Sequence, residues 1–246
     1  MGSIIEVFPR GSPRTDAWRT VPLPGDGHLR VRQARLEDYA AIRALQREAA
    51  PHLPGSSLKQ LESQRLAFAE GQLVVLGPDR IVGSASTLIV DWNDHAQAPS
   101  WREATGDGSF NTHDAGARTL LCAELLAAEG RGPGVARSLH RSLRRLARKL
   151  NLRRIVAPAR MPGYHGVREE MSPELYAQGV VWGSESSAAL QAPLADGFQY
   201  CGVARNYMPE DLESCGHAAL LVWLNPAYSP TEPPANLEAV RPRKCA

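Results

Sequence analysis

One short turn carries the residue types best suited to chemistry. It reads Arg131-Gly132-Pro133-Gly134-Val135-Ala136, follows an apolar run and opens a helical pattern. The first turn of a helix has unpaired backbone N–H groups and the positive end of the helix dipole, so it can hold an anion such as a pyrophosphate. Gly132 and Gly134 have no Cβ, which lets a ligand approach the backbone closely. The turn therefore predicts a phosphate-binding site.

A strand and an amphipathic helix must position this turn. The run from Leu120 to Leu126 is apolar except for Glu124 and predicts a buried strand. From Val135 onward, leucines recur at helical spacing opposite a row of arginines. The two sets are Leu139, Leu143, Leu146 and Leu150, and Arg137, Arg141, Arg144, Arg145 and Arg148. Asn151 ends the helix, and residues 152–157 predict a second buried strand that ends at Pro158.

The charge of this βαβ unit leaves two interpretations open. Residues 131–160 contain ten Arg or Lys and no Asp or Glu. This composition fits a polyanion site, and it fits equally an ordinary crossover helix whose basic face is solvated.

The whole chain has the composition of a soluble globular protein. Its 246 residues fit one large domain with extensions, 43% of them are hydrophobic, and the net charge is +2. No apolar run approaches the ~20 residues of a membrane span, and the N-terminus lacks a signal-peptide pattern. The four cysteines show neither CxxC spacing nor a dense framework, so we expect reduced thiols, a cytoplasmic location and no metal site. They are Cys122, Cys201, Cys215 and Cys245.

The rest of the chain predicts alternating strands and helices. Residues 1–27 form an extension, partly disordered, and residues 227–246 form a proline-rich tail. Residues 91–117 are polar and glycine-bearing, and a loop of this length is usually either a binding loop or disordered. Its aromatic residues favour an ordered loop. Further strands are predicted at 28–34, 72–76, 80–90, 198–203 and 217–224, and further helices at 36–50, 57–69, 172–179 and 186–196.

Over residues 28–226, this succession of elements resembles the GNAT superfamily of acetyl-CoA-dependent N-acyltransferases. The turn at 131–136 is similar to the family's (Gln/Arg)-x-x-Gly-x-(Gly/Ala) pyrophosphate loop. Four segments are similar to the GNAT domain often fused ahead of a carbon–nitrogen hydrolase, and no hydrolase sequence follows here, so we expect a free-standing version. The segments are SWREATGDGSFNTHDAGARTLLCAEL, RRIVAPARMPGY, SPELYAQGV and DGFQYCGVARNYMPEDLESCGHAALLVWLN.

The resemblance implies an α/β (α+β) fold with a central mixed, splayed sheet and helices on both faces. It also implies acetyl-CoA as acyl donor, lying in the opening of the sheet. The pantetheine arm would pair with the backbone beside Glu124, at Leu125, Leu126 and Ala127. The pyrophosphate would bind the N–H groups of Arg131, Gly132, Gly134, Val135 and Ala136, whereas Pro133 has no N–H to offer.

Catalysis in this family is direct attack of an amine on the thioester. Glu124 is the candidate base, since it is the one ionisable residue of its strand and burial would raise its pKa. A plain ion pair with one of the arginines is the alternative. The family often places a tyrosine proton donor four residues before a Gly-Phe pair, and that position is Pro193 here. Tyr164, Tyr200 and Tyr207 are the candidate substitutes, and an ordinary packing role is the alternative for each. His113 and His165 lie in loops and could act near neutral pH, but a lone loop histidine is more often solvated.

Three functions follow as hypotheses. The first is an N-acyltransferase acting on a small amine, a peptide N-terminus or a lysine. The second is a non-catalytic acyl-CoA sensor or partner module, suggested by Pro193 and by Ser187-Ala188, where the fused relatives have Asp-Pro. Nucleic-acid binding through the arginine face ranks last, because that face lacks interleaved aromatic residues. A homodimer could form through the predicted hairpin within residues 202–222.

Overall fold

A computed structural model of the chain describes residues 29–93, 97–128, 130 and 133–232. Within these residues seven strands form a single sheet. The strands are β1 (Arg30–Gln33), β2 (Gln72–Leu76), β3 (Ile81–Val90), β4 (Thr119–Ala127), β5 (Arg154–Arg160), β6 (Gln199–Ala204) and β7 (Ala218–Leu224). The helices are α1 (Tyr39–Ala49), α2 (Leu58–Ala67), α3 (Trp101–Thr105), α4 (Gly134–Lys149), α5 (Tyr164–Val167), α6 (Pro173–Trp182) and α7 (Ala188–Ala195).

The order of the strands is β1-β2-β3-β4-β5-β7-β6, and the sheet is mixed. Adjacent strands pair in antiparallel fashion except for β4 and β5. These two are parallel because α4 connects them as a crossover. The β4–β5 pairing covers only residues 119–121 and 154–156. Beyond these residues β5 stays paired with β7 while β4 stays paired with β3. The sheet therefore opens between the C-terminal halves of β4 and β5, which confirms the predicted splay.

Helices cover both faces of the sheet. Neighbouring residues of a strand point to opposite faces, and residues paired across strands share a face. Gln46 of α1 contacts Glu124, whose cross-strand partner is Ser86. On the other face, an added Cβ at Gly83 would lie 2.4 Å from Val135 Cγ1 of α4. Thus α1 packs on the face of Glu124 and α4 on the opposite one, as predicted.

The predicted amphipathic helix is confirmed as α4. Its apolar stripe is fully buried, with exposures of 0–2% at Leu139, Leu143, Leu146 and Leu150. Asn151 follows with φ +50°, the left-handed conformation that ends a helix. The Asn151 side chain then donates to the carbonyl groups of Ser229 and Glu232, so the start of the predicted tail lies against the domain.

Several element boundaries differ from the prediction. β5 does not end at Pro158 but continues to Arg160, because β4 has already separated from that edge and the missing N–H of Pro158 removes no β4–β5 bond. The predicted loop at 91–117 contains α3, whose Ser100 cap accepts from the N–H of Glu103. The predicted turn after β5 contains α5, and α6 extends three residues further, to Trp182.

The structure describes the ends of the chain and the turn at 131–136 only in part. The predicted extension at 1–27 lies outside the described residues, as do Arg131, Gly132 and residues 233–246. The domain limits at 28 and 226 stay a prediction. Among the helices that the structure describes, none has the length and apolar character to cross a bilayer.

Candidate active site

The candidate site begins with an irregularity in β4, where the sheet opens. Ser86 of β3 pairs with Glu124 and Thr87 pairs with Cys122, so Ala123 is an extra residue without a partner on β3. Such a β-bulge re-aims the side chains around it and is frequent beside active sites. The indole Nε1 of Trp101 donates to the Ala123 carbonyl at 3.2 Å and braces the bulge from α3.

Glu124 is the carboxylate of this bulge. Gln46 Nε2 donates to both of its oxygens, at 3.1 Å to Oε1 and 2.9 Å to Oε2. Part of the side chain stays accessible, yet enough protein surrounds it that burial raises the pKa of the Glu124 carboxyl above its usual range. The hydrogen bond from Gln46 offsets only part of that rise in pKa. No described arginine or lysine pairs with Glu124, so the ion-pair alternative finds no support there.

Tyr207 reaches the same strand from the β6–β7 connection. Its side chain is 4% exposed, and its hydroxyl has no hydrogen-bond partner among the described residues. Burial raises the pKa of Tyr207 above the usual tyrosine range, and the neighbouring Cys122 thiol adds to the rise. A buried hydroxyl without a partner is costly, and it calls for a functional explanation. A neutral phenol beside β4 can donate a proton, and no described group accepts a hydrogen bond from it.

Cys122 lies two residues before Glu124 on β4 and is a neighbour of the Tyr207 phenol. It is buried, and burial raises the pKa of its thiol to about 12, so it stays protonated at neutral pH. Its Sγ donates to the carbonyl of Glu124 at 3.6 Å. A thiol of this kind packs as a small apolar group and is a poor nucleophile.

The loop that carries Tyr207 is anchored on two sides. Trp101 N–H donates to the Tyr207 carbonyl at 2.6 Å, which attaches the loop to α3. On the β5 side, Arg160 makes two 2.7 Å hydrogen bonds to Asp211, which is 2% exposed. Burial alone would raise the pKa of Asp211, but Arg160 and Ser214 outweigh burial and hold it below its usual range. The loop of Tyr207 is therefore attached to α3 on one side and to the end of β5 on the other.

The other candidate acids have no described contact with Glu124 or the bulge. The Tyr164 hydroxyl donates to the Met171 carbonyl at 3.3 Å, and its ring packs on Tyr176. None of its described contacts is with Glu124 or the bulge. Tyr200 is half-buried on β6, and burial raises its pKa.

The two loop histidines have structural surroundings. His113 Nδ1 accepts the N–H of Ile89 at 3.1 Å, its ring stacks on Phe68, and burial lowers its pKa, so it is neutral at physiological pH. His165 is exposed and contacts Arg168. Neither is brought next to Glu124 by a described contact.

The predicted donor-binding residues lie around the mouth of the same opening. Leu125, Leu126 and Ala127 form the end of β4, which β5 no longer pairs with, so one edge of this segment faces the opening. Pro133 precedes the first turn of α4, and no side chain caps that turn. The N–H groups of Gly134, Val135 and Ala136 thus point out of an uncapped helix end. These residues fit a phosphorylated, extended ligand; the contributions of Arg131 and Gly132 fall outside the described residues.

Sequence reasoning missed Gln46, Trp101 and the Arg160–Asp211 pair. A capping box at Ser100 and Glu103 marks the start of α3 and could have revealed that Trp101 lies on a helix. The other contacts join residues far apart in the sequence, and they have no local signal.

No protein-family model matches the chain. Among curated proteins it is 28% identical over 203 residues to the "Probable hydrolase YhcX" of Bacillus subtilis, covering 82% of this chain and 40% of that protein. It is 29% identical over 205 residues to the "Uncharacterized N-acetyltransferase YkwB" of the same organism, covering 81% of this chain and 90% of that protein. The chain thus spans well under half the length of the first relative.

Solved structures extend the comparison to the fold. The GNAT-like decarboxylase GphF in complex with isobutyryl-CoA superposes with a TM-score of 0.67 at 21% identity, covering 79% of this chain and 98% of that one. The loading GNATL domain of CurA from Lyngbya majuscula gives 0.66 at 14% identity, with 80% and 98% covered. A GNAT phosphinothricin acetyltransferase from Sinorhizobium meliloti, bound to AcCoA, gives 0.52 at 14% identity, with 87% and 97% covered. The sheet order, the opening between β4 and β5 and these similarities show that the chain has the GNAT fold.

Proposed function

We propose that the protein is an acyl-CoA-dependent N-acyltransferase that uses acetyl-CoA to acylate an amine. The observation that carries the proposal is the pair of groups at the β4 bulge: a carboxylate with a raised pKa and a buried phenol without a partner. An acetyltransferase similar in fold to this chain is bound to AcCoA, and a relative at 29% identity is named as an N-acetyltransferase.

The donor would lie along residues that the fold leaves free. The backbone of Leu125, Leu126 and Ala127 would pair with the pantetheine amides. The uncapped N–H groups at the start of α4, together with Arg131 and Gly132, would hold the pyrophosphate. When bound, acetyl-CoA supplies an activated thioester carbonyl.

Glu124 and Tyr207 would divide the proton transfers. The amine nitrogen forms a bond to the thioester carbon, and the carbon–sulfur bond breaks. Glu124 takes the proton that the amine nitrogen must lose, and its raised pKa makes it a stronger base near neutral pH. Tyr207 gives its proton to the departing sulfur, and its own raised pKa keeps the phenol protonated until then. The Tyr207 hydroxyl has no described hydrogen-bond partner, and the described partner of the Glu124 carboxylate is the Gln46 amide. Both groups are therefore available for proton transfer.

The acceptor is an amine of a small molecule, a peptide or a protein. The irregular segments 91–117, 160–186 and 207–215 would set its identity, because they surround the ends of β4 and β5. We propose a cytoplasmic location and a homodimer that forms through the β6–β7 hairpin. Nucleic acid ranks last among the partners considered.

A second activity is favoured by one comparison. The structure with a TM-score of 0.67 is a GNAT-like decarboxylase bound to an acyl-CoA. In such a reaction a 2-carboxyacyl-CoA would lose CO₂, the electron pair would move onto the thioester oxygen, and the enolate carbon would then take a proton. A hydroxyl such as that of Tyr207 could stabilise the developing negative charge without any amine.

One set of incubations separates these activities from the non-catalytic sensor. Purified protein is incubated with acetyl-CoA and a panel of amines, and then with 2-carboxyacyl-CoA alone; free thiol, acylated amine and CO₂ loss are measured by absorbance and mass spectrometry. We expect free CoA to accumulate in step with one or more acylated amines. Loss of CO₂ without free CoA would identify the decarboxylase. A rise in melting temperature with acetyl-CoA but no product in either arm would identify a sensor.

A further inference from the structure

The buried side chain of Gln46 joins an exposed loop to the candidate base. Gln46 is 4% exposed near the end of α1, and its carboxamide contacts both Glu124 and the loop at residues 50–57. Nε2 donates to the two Glu124 oxygens and also lies 3.2 Å from Ser56 Oγ. Oε1 accepts the backbone N–H of Ser56 at 3.0 Å. All hydrogen-bonding groups of the carboxamide are therefore engaged.

The contact with Ser56 determines which end of the carboxamide faces Glu124. A backbone N–H can only donate, so it must meet the oxygen of Gln46 and turns the NH₂ group towards the carboxylate. The loop can come this close because residue 55 is glycine: an added Cβ there would lie 3.1 Å from Gln46 Oε1. An NH₂ group favours the ionised carboxylate, which accepts, over the protonated acid, which must donate.

We propose that Gln46 is a positioning residue, which holds Glu124 as an ionised acceptor at the bulge and whose orientation is set by the Ser56 N–H. The inference rests on the proposed function for its catalytic meaning, since it assigns to Gln46 the task of keeping the base in its working form. Nothing in the contacts of Gln46 suggests that it touches either substrate.

The surroundings of Glu124 make its ionisation sensitive to this one side chain. β3 presents Ser86, which does not titrate, and α1 and its loop present Gln46 and Ser56. On β4 the Cys122 thiol is the titratable neighbour, and the Tyr207 phenol lies beside that thiol. No charged group among the described residues compensates Glu124, so Gln46 is the described group that favours its ionised form.

Two variants of Gln46 test the inference, and two further variants serve as controls. Gln46→Met keeps the size of the side chain but removes the donor, and Gln46→Glu places a second carboxyl against Glu124. Gln64→Met is the matched control, because Gln64 is a similarly buried glutamine, 3% exposed, whose Nε2 donates to the Gly108 carbonyl. Ser56→Ala keeps the backbone N–H and removes only the hydroxyl.

The first measurement is the titration of the Glu124 carboxyl by ¹³C NMR, with its signal assigned from its absence in Glu124→Gln. We expect the midpoint to rise by about one pH unit in Gln46→Met and further in Gln46→Glu, where two carboxyls share a proton. Gln64→Met and Ser56→Ala should keep the wild-type midpoint. The acidic limb of kcat/KM should move by the same amounts and in the same order.

Each outcome decides a different point. An unchanged midpoint in Gln46→Met, in a protein whose melting temperature matches that of Gln64→Met, would overturn the inference. A shift of equal size in Gln64→Met would overturn it as well, since any buried substitution would then suffice. If the midpoints shift as expected while Glu124→Gln retains full turnover, Gln46 still positions Glu124 but the assignment of Glu124 as base fails.

Discussion

At the scale of single residues, the candidate site contains two polar groups in unfavourable surroundings, a carboxylate whose charge is penalised by burial and a buried hydroxyl without a described partner. Glu124 lies in a strand where burial penalises its charge, and among the described residues the amide of Gln46 is the group that favours that charge. Tyr207 has a buried hydroxyl with no partner among the described residues. A folded chain tolerates such costs where another benefit offsets them, and proton transfer to and from bound substrates is the benefit that we propose.

Glu124→Gln removes the proposed base while it preserves the shape of the side chain. We expect kcat/KM to fall by about 10²- to 10⁴-fold, with acetyl-CoA binding retained, because a general base contributes that much. In the wild type, activity should rise with pH as Glu124 loses its proton, and its raised pKa puts this limb above the ordinary glutamate range. Steady-state kinetics between pH 5 and 9, with donor affinity from calorimetry, measure both effects. Full activity in the variant would exclude Glu124 as base.

Tyr207→Phe removes a hydroxyl that has no described partner. Since no hydrogen bond is lost and a polar group leaves the interior, the melting temperature should hold or rise. We expect kcat to fall by about 10²-fold if Tyr207 is the proton donor. Tyr164→Phe is the comparison: it loses the bond to the Met171 carbonyl and about 1 kcal/mol of stability, and it should keep its kcat. The reverse pattern would transfer the role of proton donor to Tyr164.

At the scale of elements, two close packings determine the shape of the opening. Gly83 lets the first turn of α4 approach the sheet, where Val135 is fully buried. Arg160 and Asp211 tie the end of β5 to the β6–β7 connection. The contact of Gly83 with Val135 positions the start of α4, where the phosphate site is predicted. The Arg160–Asp211 pair positions the loop of Tyr207.

Gly83→Ala should displace the start of α4. The new methyl group would lie 2.4 Å from Val135 Cγ1, which is too close, so the Val135 side chain or the helix that carries it must move. We expect about 1–3 kcal/mol of lost stability and weaker acetyl-CoA binding. Thermal unfolding and calorimetry provide the measurements. Gly166→Ala is the matched control, because an added Cβ there meets nothing within 4 Å. Equal loss of affinity in both variants would contradict the role of Gly83.

Asp211→Asn should break the link between β5 and the loop of Tyr207. Arg160 then loses its buried partner and keeps the half-exposed Glu213, so we expect about 1.5–3 kcal/mol of lost stability near neutral pH. The pKa of Asp211 is held below its usual range, so its contribution is present above the ordinary aspartate value and is lost as pH falls through the lowered pKa. The stability gap between wild type and variant should therefore narrow below about pH 4.

Chemical denaturation across this pH range measures that gap. Glu213→Gln serves as the control, because Glu213 binds the same guanidinium at 2.7 Å but is half exposed, and it should cost at most about 1 kcal/mol. A gap that stays constant down to the acid limit would contradict the assignment of the pH dependence to Asp211.

At the scale of the whole molecule, the described residues form one mixed sheet that opens between β4 and β5. A single parallel crossover among antiparallel neighbours leaves β4 and β5 joined over only three residue pairs. The opening brings an uncapped helix end, the bulge of β4 and the β6–β7 loop to one place. Some arginines on the basic face of α4 have partners within the domain, so they need no polyanion to explain them. Arg137 and Arg144 contact Asp196, which follows α7.

Local patterns in the sequence were enough to predict most of the elements. The caps at Ser57 and Ser172, the leucine stripe of α4 and the apolar run of β4 each depend on residues within a few positions of one another. Such patterns act through backbone hydrogen bonds and periodic burial, which a short segment already specifies. Glu124 could be singled out in the same way, as one charge in an apolar strand.

Only the tertiary structure decided what surrounds that charge. Gln46 and Glu124 are 78 positions apart, and Arg160 and Asp211 are 51 apart, so no local pattern relates them. The register of β3 on β4 creates the bulge at Ala123, and the order of the strands brings the loop of Tyr207 to it. Sequence alone thus determined which segments become strands and helices and which turn could hold an anion. The amide partner of the proposed base and the burial of the Tyr207 phenol required the fold, because burial and long-range register are properties of the packed chain.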